Sequence, residues 1–233
     1  MNLSEYKYKI ETHAHTSPMS GCADFTPQEV IERYADIGFS AIAITNHFSK
    51  NSFLGDEKSV VIKRFLKDYY DSCDAGAKYG ITVIFGMEIR FPNERNLNDY
   101  LVYGITEDDM DVLYDLQHTD CATFYKEFIN EKRVIIQAHP FRGNCEMDDM
   151  KYLDGIETFN MHPKHNSKVA LATQYAKKFP GIITTCGTDF HHEGHQGLGG
   201  ILTKTLPKDS LELAAILRSH DYLFHVAGAV VIP

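Results

Sequence analysis

Short runs of β-branched and apolar residues alternate along the chain with longer stretches whose apolar positions follow a helical period. This pattern predicts repeated β-α units around a mostly parallel sheet. Residues 7–12 read as the first strand. Thr26-Pro27-Gln28-Glu29 then supplies an N-cap, a proline at the first helical position and an acidic first turn, with Val30, Ile31, Tyr34 and Ile37 as the apolar stripe and Gly38 as the stop. A strand at 41–44 follows. Residues 59–79 carry Val61, Ile62, Phe65, Leu66, Tyr69 and Tyr70 at helical spacing, and Gly80 ends that helix before a strand at 81–85. Further strands are predicted at 99–105, 134–137, 155–159 and 182–186, and further helices at 119–132, 164–178 and 209–219. Apolar runs at 222–226 and 229–232 close the pattern.

No sequence repeat or low-complexity linker divides the chain. Its 233 residues, 43% hydrophobic, suffice for one domain over 1–233 with a sizeable core. No segment approaches the roughly 18 to 20 apolar residues of a membrane span. Met1–Glu5 lacks the basic flank and apolar stretch of a signal peptide, so the expectation is a cytoplasmic protein without a membrane partner. The five cysteines, Cys22, Cys73, Cys121, Cys145 and Cys186, are widely spaced and include no Cys-x-x-Cys, which fits a reducing compartment rather than a disulfide framework. A formal charge of −9 argues against a nucleic-acid partner and is easier to reconcile with a small anionic substrate. No heptad pattern speaks to the oligomeric state.

The chemistry concentrates at strand ends. His13-x-His15, Thr45-Asn46-His47, Gly86-Met87-Glu88, Ala138-His139-Pro140 and Gly187-Thr188-Asp189-Phe190-His191 each follow a predicted strand. Neutral imidazole and carboxylate are the ligands that Zn²⁺, Mn²⁺ and Fe²⁺ take, and one shared carboxylate can bridge two ions. The loops 91–98, 142–149 and 192–200 follow strands of the same kind, so the chemistry is expected on one rim.

These motifs, in this order from about residue 9 to residue 201, resemble the polymerase and histidinol phosphatase (PHP) domain superfamily. The resemblance implies an α/β fold, a distorted seven-stranded (β/α)7 TIM-like barrel with its metal centre at the C-terminal rim. It also implies two or three divalent ions (Zn²⁺, Mn²⁺ or Fe²⁺): His13, His15, Glu88 and Asp189 on the first, Glu88 bridging to a second bound by His139, and His47 with His191 on a third. The activity implied is hydrolysis of a small phosphomonoester, of histidinol-phosphate, sugar-phosphate or nucleotide type. The nucleophile expected is a metal-bound hydroxide, since paired cations lower the pKa of water and neutralise phosphoryl charge.

Within that scheme Glu88, Asp189 and His191 are the catalytic candidates, with Asp189 helping to move a proton and His191 or His195 protonating the leaving group. Arg142, Arg90 and His195 are the substrate-binding candidates, the arginines as phosphate clamps. The alternatives are a phosphodiesterase or exonuclease on nucleic-acid ends and a catalytically silent metal-binding module. An amidohydrolase would need a bridging lysine, and no lysine stands at a motif position.

The chain departs from the superfamily pattern in three places. The acidic residue that usually ends the first motif is absent from Ser17-Pro18-Met19-Ser20-Gly21-Cys22, leaving Cys22 as either a substitute thiolate ligand or a loop cysteine. Asn46 replaces an aspartate, which puts the orientation of neighbouring histidines in question. The histidine that some members carry just after the strand is missing from 101–106, so the second ion is expected to have fewer protein ligands. His118 is the nearest histidine in sequence and reads as a surface helix residue. Asn160 is a candidate rim amide, and His162, His165, His220 and His225 read as structural.

Overall fold

A computed structural model describes residues 2–93 and 95–233. The chain begins with β1 (Tyr8–Ala14) and α1 (Pro27–Asp36), whose start is fixed by the expected capping box: the Thr26 hydroxyl accepts from the Glu29 backbone while the Glu29 carboxylate accepts from the Thr26 backbone. Then come β2 (Ala41–Ile44), β3 (His47–Phe48), α2 (Lys50–Phe53), α3 (Lys58–Tyr79), β4 (Thr82–Phe85), β5 (Met87–Ile89) and β6 (Tyr100–Tyr103). The middle of the chain forms α4 (Met110–Gln117), α5 (Cys121–Phe128), β7 (Val134–Gln137), β8 (Gly155–Asn160), α6 (Val169–Ala176) and β9 (Ile183–Gly187). The last elements are β10 (Ile201–Thr203), α7 (Ser210–Ser219), β11 (Tyr222–Val226) and β12 (Ala229–Val231).

The strands make two six-stranded sheets, ordered β12-β11-β10-β1-β2-β4 and β3-β5-β6-β7-β8-β9. Strands β1, β2 and β4 are parallel, as are β3 with β5 and β7 with β8 and β9. Fully buried runs such as Ala41-Ile42-Ala43-Ile44 suit strands covered on both faces. The fold is therefore mixed α/β, but not uniformly parallel: β6 runs antiparallel to both β5 and β7, and β10, β11 and β12 form an antiparallel meander.

Among the described residues, backbone hydrogen bonds link the two sheets at two places. Gly86 N donates to Ile44 O at 3.1 Å, Glu88 N to Asn46 O at 3.1 Å and Arg90 N to Phe48 O at 3.1 Å, carrying the β2–β4 pairing on into β3–β5. Elsewhere Ala14 and Phe190 form a parallel bridge, with His15 N donating to Phe190 O and Phe190 N to His13 O, both at 3.1 Å.

The helix expected over 119–132 is shorter, because the Asp120 side chain caps α5 by accepting from Thr123 N, and α4 precedes it as a separate helix. The helix expected from 164 begins only at Val169, after Lys168 adopts a left-handed backbone (φ 49°) that a helix cannot include. Ile37, expected in the α1 stripe, is the exposed C-cap. Among the described residues no helix is long and apolar enough to cross a membrane.

Candidate metal centre

His13 and His15, two apart at the end of β1, project to the same side, as the strand period requires. They meet Glu88 from the middle of β5. The Glu88 Oε1 atom lies 3.2 Å from His13 Nε2 and 3.2 Å from His139 Nε2, while its Oε2 lies 2.6 Å from His47 Nδ1 and 3.5 Å from His15 Nε2. Asp189 Oδ1 stands 3.5 Å from His13 Nε2, 3.4 Å from His15 Nε2 and 3.3 Å from His191 Nδ1. All seven metal-ligand candidates read from the sequence are thus brought together around two carboxylates, Glu88 and Asp189.

Three sets of donors are close enough to share an ion: His13, His15 and Glu88; Glu88, Asp99 and His139; and His15, His47 and His191. His13 Nε2 and His15 Nε2 are buried without a hydrogen-bond partner among the described residues. Leaving such a group unmet costs about 1–3 kcal/mol, a cost that a coordinated cation removes, so the residues fit divalent ions.

A second layer of groups aims these rings. His13 Nδ1 donates to Glu157 Oε1 at 3.0 Å, and His191 Nδ1 donates to the Asp189 carbonyl at 2.9 Å. His15 Nδ1 donates to Ser20 Oγ at 3.1 Å, because the Ser20 hydroxyl spends its own proton on Asn46 Oδ1 at 2.8 Å. Each bond fixes the tautomer that leaves Nε2 bare. Asn46, whose missing charge put histidine orientation in question, does orient His15, acting through Ser20. Its amide is itself fixed by Thr16, whose backbone N–H donates to Oδ1 at 2.8 Å and whose hydroxyl accepts from Nδ2 at 2.7 Å.

Glu157 escaped the sequence reading because it lies inside the apolar run that became β8. Its Oε1 holds His13, while its Oε2 accepts from His139 N at 3.1 Å and Asn160 Nδ2 at 2.9 Å. A lone carboxylate within an otherwise uncharged strand was the available signal. Glu11 is its counterpart in β1, accepting from His13 N and Thr188 N, both at 2.9 Å, and from the Tyr34 hydroxyl at 2.7 Å. Burial pushes its carboxyl up to about 7 despite those donors. Gly187 lets β9 close on this assembly, since a Cβ there would sit 2.6 Å from His13 Cβ and 2.9 Å from Glu157 Oε1. His139 and Asp189 both carry positive φ, 31° and 57°, the kind of local strain that clusters at working sites.

The structure revises the expectation for the second ion. Because β6 is antiparallel, the rim lies at its beginning and not at its end, and the residue there is Asp99. Its Oδ2 is 3.8 Å from His139 Nε2. Burial and the neighbouring Glu88 push the Asp99 carboxyl above its ordinary range against the pull of Arg90, so a cation between the two carboxylates would relieve their repulsion. Arg90, a substrate-binding candidate, grips Asp99 in a two-pronged pair, Nε to Oδ1 at 2.7 Å and Nη2 to Oδ2 at 2.6 Å, and lines the opening over Glu88.

Arg142 reaches the centre, with Nη2 on Asp189 Oδ2 at 2.5 Å and on Asn160 Oδ1 at 2.8 Å. His195 is set back from the ligands, its ring 4.9 Å from that of His162. His162, His165 and His192, rather than His195, line the cavity of about 210 Å³ that opens on Glu88. His162 and His165 are thus not merely structural. His118 caps the end of α4, its Nδ1 donating to Tyr114 O at 2.9 Å, and lies against Phe53 rather than the ligands.

Before an ion binds, the carboxylates hold protons on several of these rings. Burial pulls His13 and His47 down, but Glu157, Asp189 and Glu88 around His13, and Glu88 and Cys22 beside His47, outweigh it and set both well above the ordinary imidazole range. His139 is likewise brought up to about 9, its burial overcome by hydrogen bonds with Cys145 and Glu88. His15 goes the other way, held well down by burial and by the charges of His191 and His47. A metal must displace the bound protons, so uptake near pH 7 is expected to release up to three, from His13, His47 and His139. Affinity should then climb with pH towards about 9, where His139 gives up its proton. Calorimetric titration in two buffers of different ionisation heat reads this directly, and a buffer-independent heat would contradict it.

The comparisons agree with this geometry. The PHP domain family model matches residues 11–214. The PolC-type DNA polymerase III of Caldanaerobacter subterraneus subsp. tengcongensis is 27% identical over 232 residues, 97% of this chain, and the chain spans only 13% of that polymerase's length. Among solved structures, a two-domain protein of Bacteroides vulgatus, described as containing a predicted PHP-like metal-dependent phosphoesterase, superposes with a TM-score of 0.60 at 13% identity. That match covers 96% of this chain and 66% of the other. A protein of Bifidobacterium adolescentis, described as a metal-dependent phosphoesterase, matches with a TM-score of 0.50 at 14% identity, covering 90% of this chain and 96% of the other. With the motifs gathered around Glu88 and Asp189 and the family model spanning most of the sequence, the chain belongs to the PHP domain family.

Proposed function

We propose that the chain is a metal-dependent phosphoesterase acting on a small phosphomonoester. The observation that carries this reading is a cavity of about 520 Å³ that shares Arg90, Asp99, His139 and Arg142 with the opening over the metal ligands and is further lined by Lys164 and Lys168. Its size falls within the roughly 300–1,000 Å³ of small-molecule sites. Its cationic walls, beside a cation-binding centre in a protein of net charge −9, favour a phosphorylated ligand.

Divalent ions held by the three donor sets would supply an activated water and offset charge on the phosphoryl oxygens. The chain's own groups would orient the substrate and handle the protons. Arg142 is committed to Asp189 and Asn160 through Nη2, and the part of its guanidinium that lines the cavity can donate to a phosphoryl oxygen. Asp189 is held well below the usual carboxylate range by His13, His15 and Arg142 against its burial, so it stays ionised as a ligand. His192, whose Nδ1 is 2.8 Å from Asp24 Oδ2, lines the cavity and takes the place expected for His195 as the donor to the leaving alkoxide.

Arg142→Ala is expected to raise KM by roughly 10- to 100-fold, the scale of a charged hydrogen bond, with metal content retained. An unchanged KM would remove Arg142 from the substrate site.

A second reading, cleavage of a phosphodiester at a nucleic-acid end, is favoured by the similarity to polymerase chains. Against it stands the net charge of −9, which disfavours a long phosphate-backbone footprint. Phosphate release from a panel of phosphomonoesters and dinucleotides, with Mn²⁺ or Zn²⁺ and a Glu88→Ala control, separates the two. Glu88-dependent release from monoesters supports the proposal. Release from dinucleotides alone would replace it with the second reading, and a metal-loaded protein active on neither would be a binding module.

A further inference from the structure

We infer that Asp68, on α3, is a positioning residue for the metal ligand His15, supplying through a chain of hydrogen bonds the carboxylate charge that Asn46 lacks. The inference rests on the reading that the centre binds divalent ions. Asp68 is buried, and its Oδ2 accepts from Thr16 Oγ1 and from Met19 N, both at 3.1 Å.

Backbone N–H groups, which can only donate, settle the direction of each bond in the chain. Thr16 N donates to Asn46 Oδ1 at 2.8 Å, so the Nδ2 end of that amide is the one that meets Thr16 Oγ1, at 2.7 Å. Having accepted there, the Thr16 hydroxyl gives its own proton to Asp68. On the other side of the amide, His47 N donates to Ser20 Oγ at 3.0 Å, and the Ser20 hydroxyl donates to Asn46 Oδ1 at 2.8 Å. Ser20 keeps one lone pair for the proton on His15 Nδ1, at 3.1 Å. Four hydrogen bonds thus run in one sense from the imidazole to the carboxylate, by way of Ser20, Asn46 and Thr16.

Bonds aligned in one sense polarise one another. A chain that ends on a carboxylate draws the Nδ1 proton outward, which makes His15 Nε2 the more basic atom and the better ligand. The charge that an aspartate at position 46 would place beside Ser20 stands farther out here, on a helix. Anchoring the loop alone would not call for it, because an amide or hydroxyl oxygen could accept from Met19 N without burying a charge.

Moving the charge tests this, with Zn²⁺ affinity read by competition with a chelator and the His15 ring followed by nitrogen NMR in the metal-free protein. Asp68→Asn keeps the volume and an oxygen for both donors, so it removes charge alone. It is expected to lower Zn²⁺ affinity by roughly 10-fold, the low end for losing an outer partner of a ligating histidine, and to shift the His15 Nδ1 signal. Asn46→Asp alone is expected to weaken binding as well, although it installs the superfamily's usual residue, because two buried carboxylates would then compete for one Thr16 hydroxyl proton. The two substitutions together should recover most of the affinity, since the new amide on α3 can donate to Thr16 Oγ1 while that hydroxyl turns to the carboxylate at position 46. Melting curves show that each variant folds. Additive losses in the double variant, or an Asp68→Asn protein with wild-type affinity and an unmoved His15 signal, overturn the inference alone. Should Asp68→Asn fail to fold, Asn46→Asp decides: unchanged or tighter Zn²⁺ binding overturns the inference, and weaker binding supports it. Wild type that binds no Zn²⁺ overturns the metal-centre reading and this inference with it.

Discussion

Glu88→Ala is expected to strip the centre of its ions and lower turnover by more than roughly 10³-fold, beyond the 10²–10³ typical of losing one stabilising donor. The expectation follows from geometry. Two oxygens of one buried side chain face four imidazoles, His13 and His139 on Oε1 and His15 and His47 on Oε2, and Glu88 belongs to two of the three donor sets. No neighbouring carboxylate can take over, because Asp189 is engaged by Arg142 and Asp99 by Arg90. The fold should survive at neutral pH. With the carboxylate gone, burial weighs more heavily on His47, while Glu157 and Asp189 still face His13, so no uncompensated charge is left inside. Elemental analysis, turnover and a melting curve on one preparation would decide the matter. Near-wild-type metal content and turnover in the variant would sink the idea of a shared bridge.

Glu157→Gln is expected to weaken metal binding by roughly 10- to 100-fold, the usual effect of losing an outer partner of a ligating histidine, and to lower stability by about 1–3 kcal/mol. The substitution changes almost no volume. What it changes is donor count: the carboxylate accepts from His13 Nδ1, His139 N and Asn160 Nδ2, and an amide must turn its NH₂ towards at least one of those donors. Either the His13 ring loses the bond that fixes its tautomer, or the left-handed turn at His139 loses its anchor. Metal affinity measured by competition with a chelator reads the first effect and thermal unfolding the second. Wild-type affinity in a destabilised variant would make Glu157 a purely structural residue.

The sequence displayed the ligands more clearly than what holds them. A strand-end histidine or carboxylate announces itself because metal ligands have few residue types and β-α units place them at one end. The short strands β3 and β5 were not legible. Each continues an earlier strand past one or two residues, and two or three residues carry too little periodicity to register. The direction of β6 was equally hidden. Hydrophobic alternation looks the same read forwards or backwards, so the rim was sought after 101–106, when the ligand candidate was Asp99 at the other end. Glu157 was masked by the apolar run around it. The pairing of Arg142 with Asp189 joins loops 47 residues apart, and that of Arg90 with Asp99 closes across the loop 91–98, whose path the sequence does not show. His162, His165 and His192 could be told from His195 only once the loops were placed.

The bridge between Ala14 and Phe190 has a bearing on how ions come and go. His13 and His15 flank one partner of that bridge, and Asp189 and His191 flank the other, with two backbone hydrogen bonds between them. Ions held by these residues would act as rivets across a seam between the sheets, so that release of metal and parting of the seam would be a single event. Exchange rates of the His15 and Phe190 amides should track the rate of metal loss, making demetallation a matter of backbone breathing rather than of ligand affinity alone.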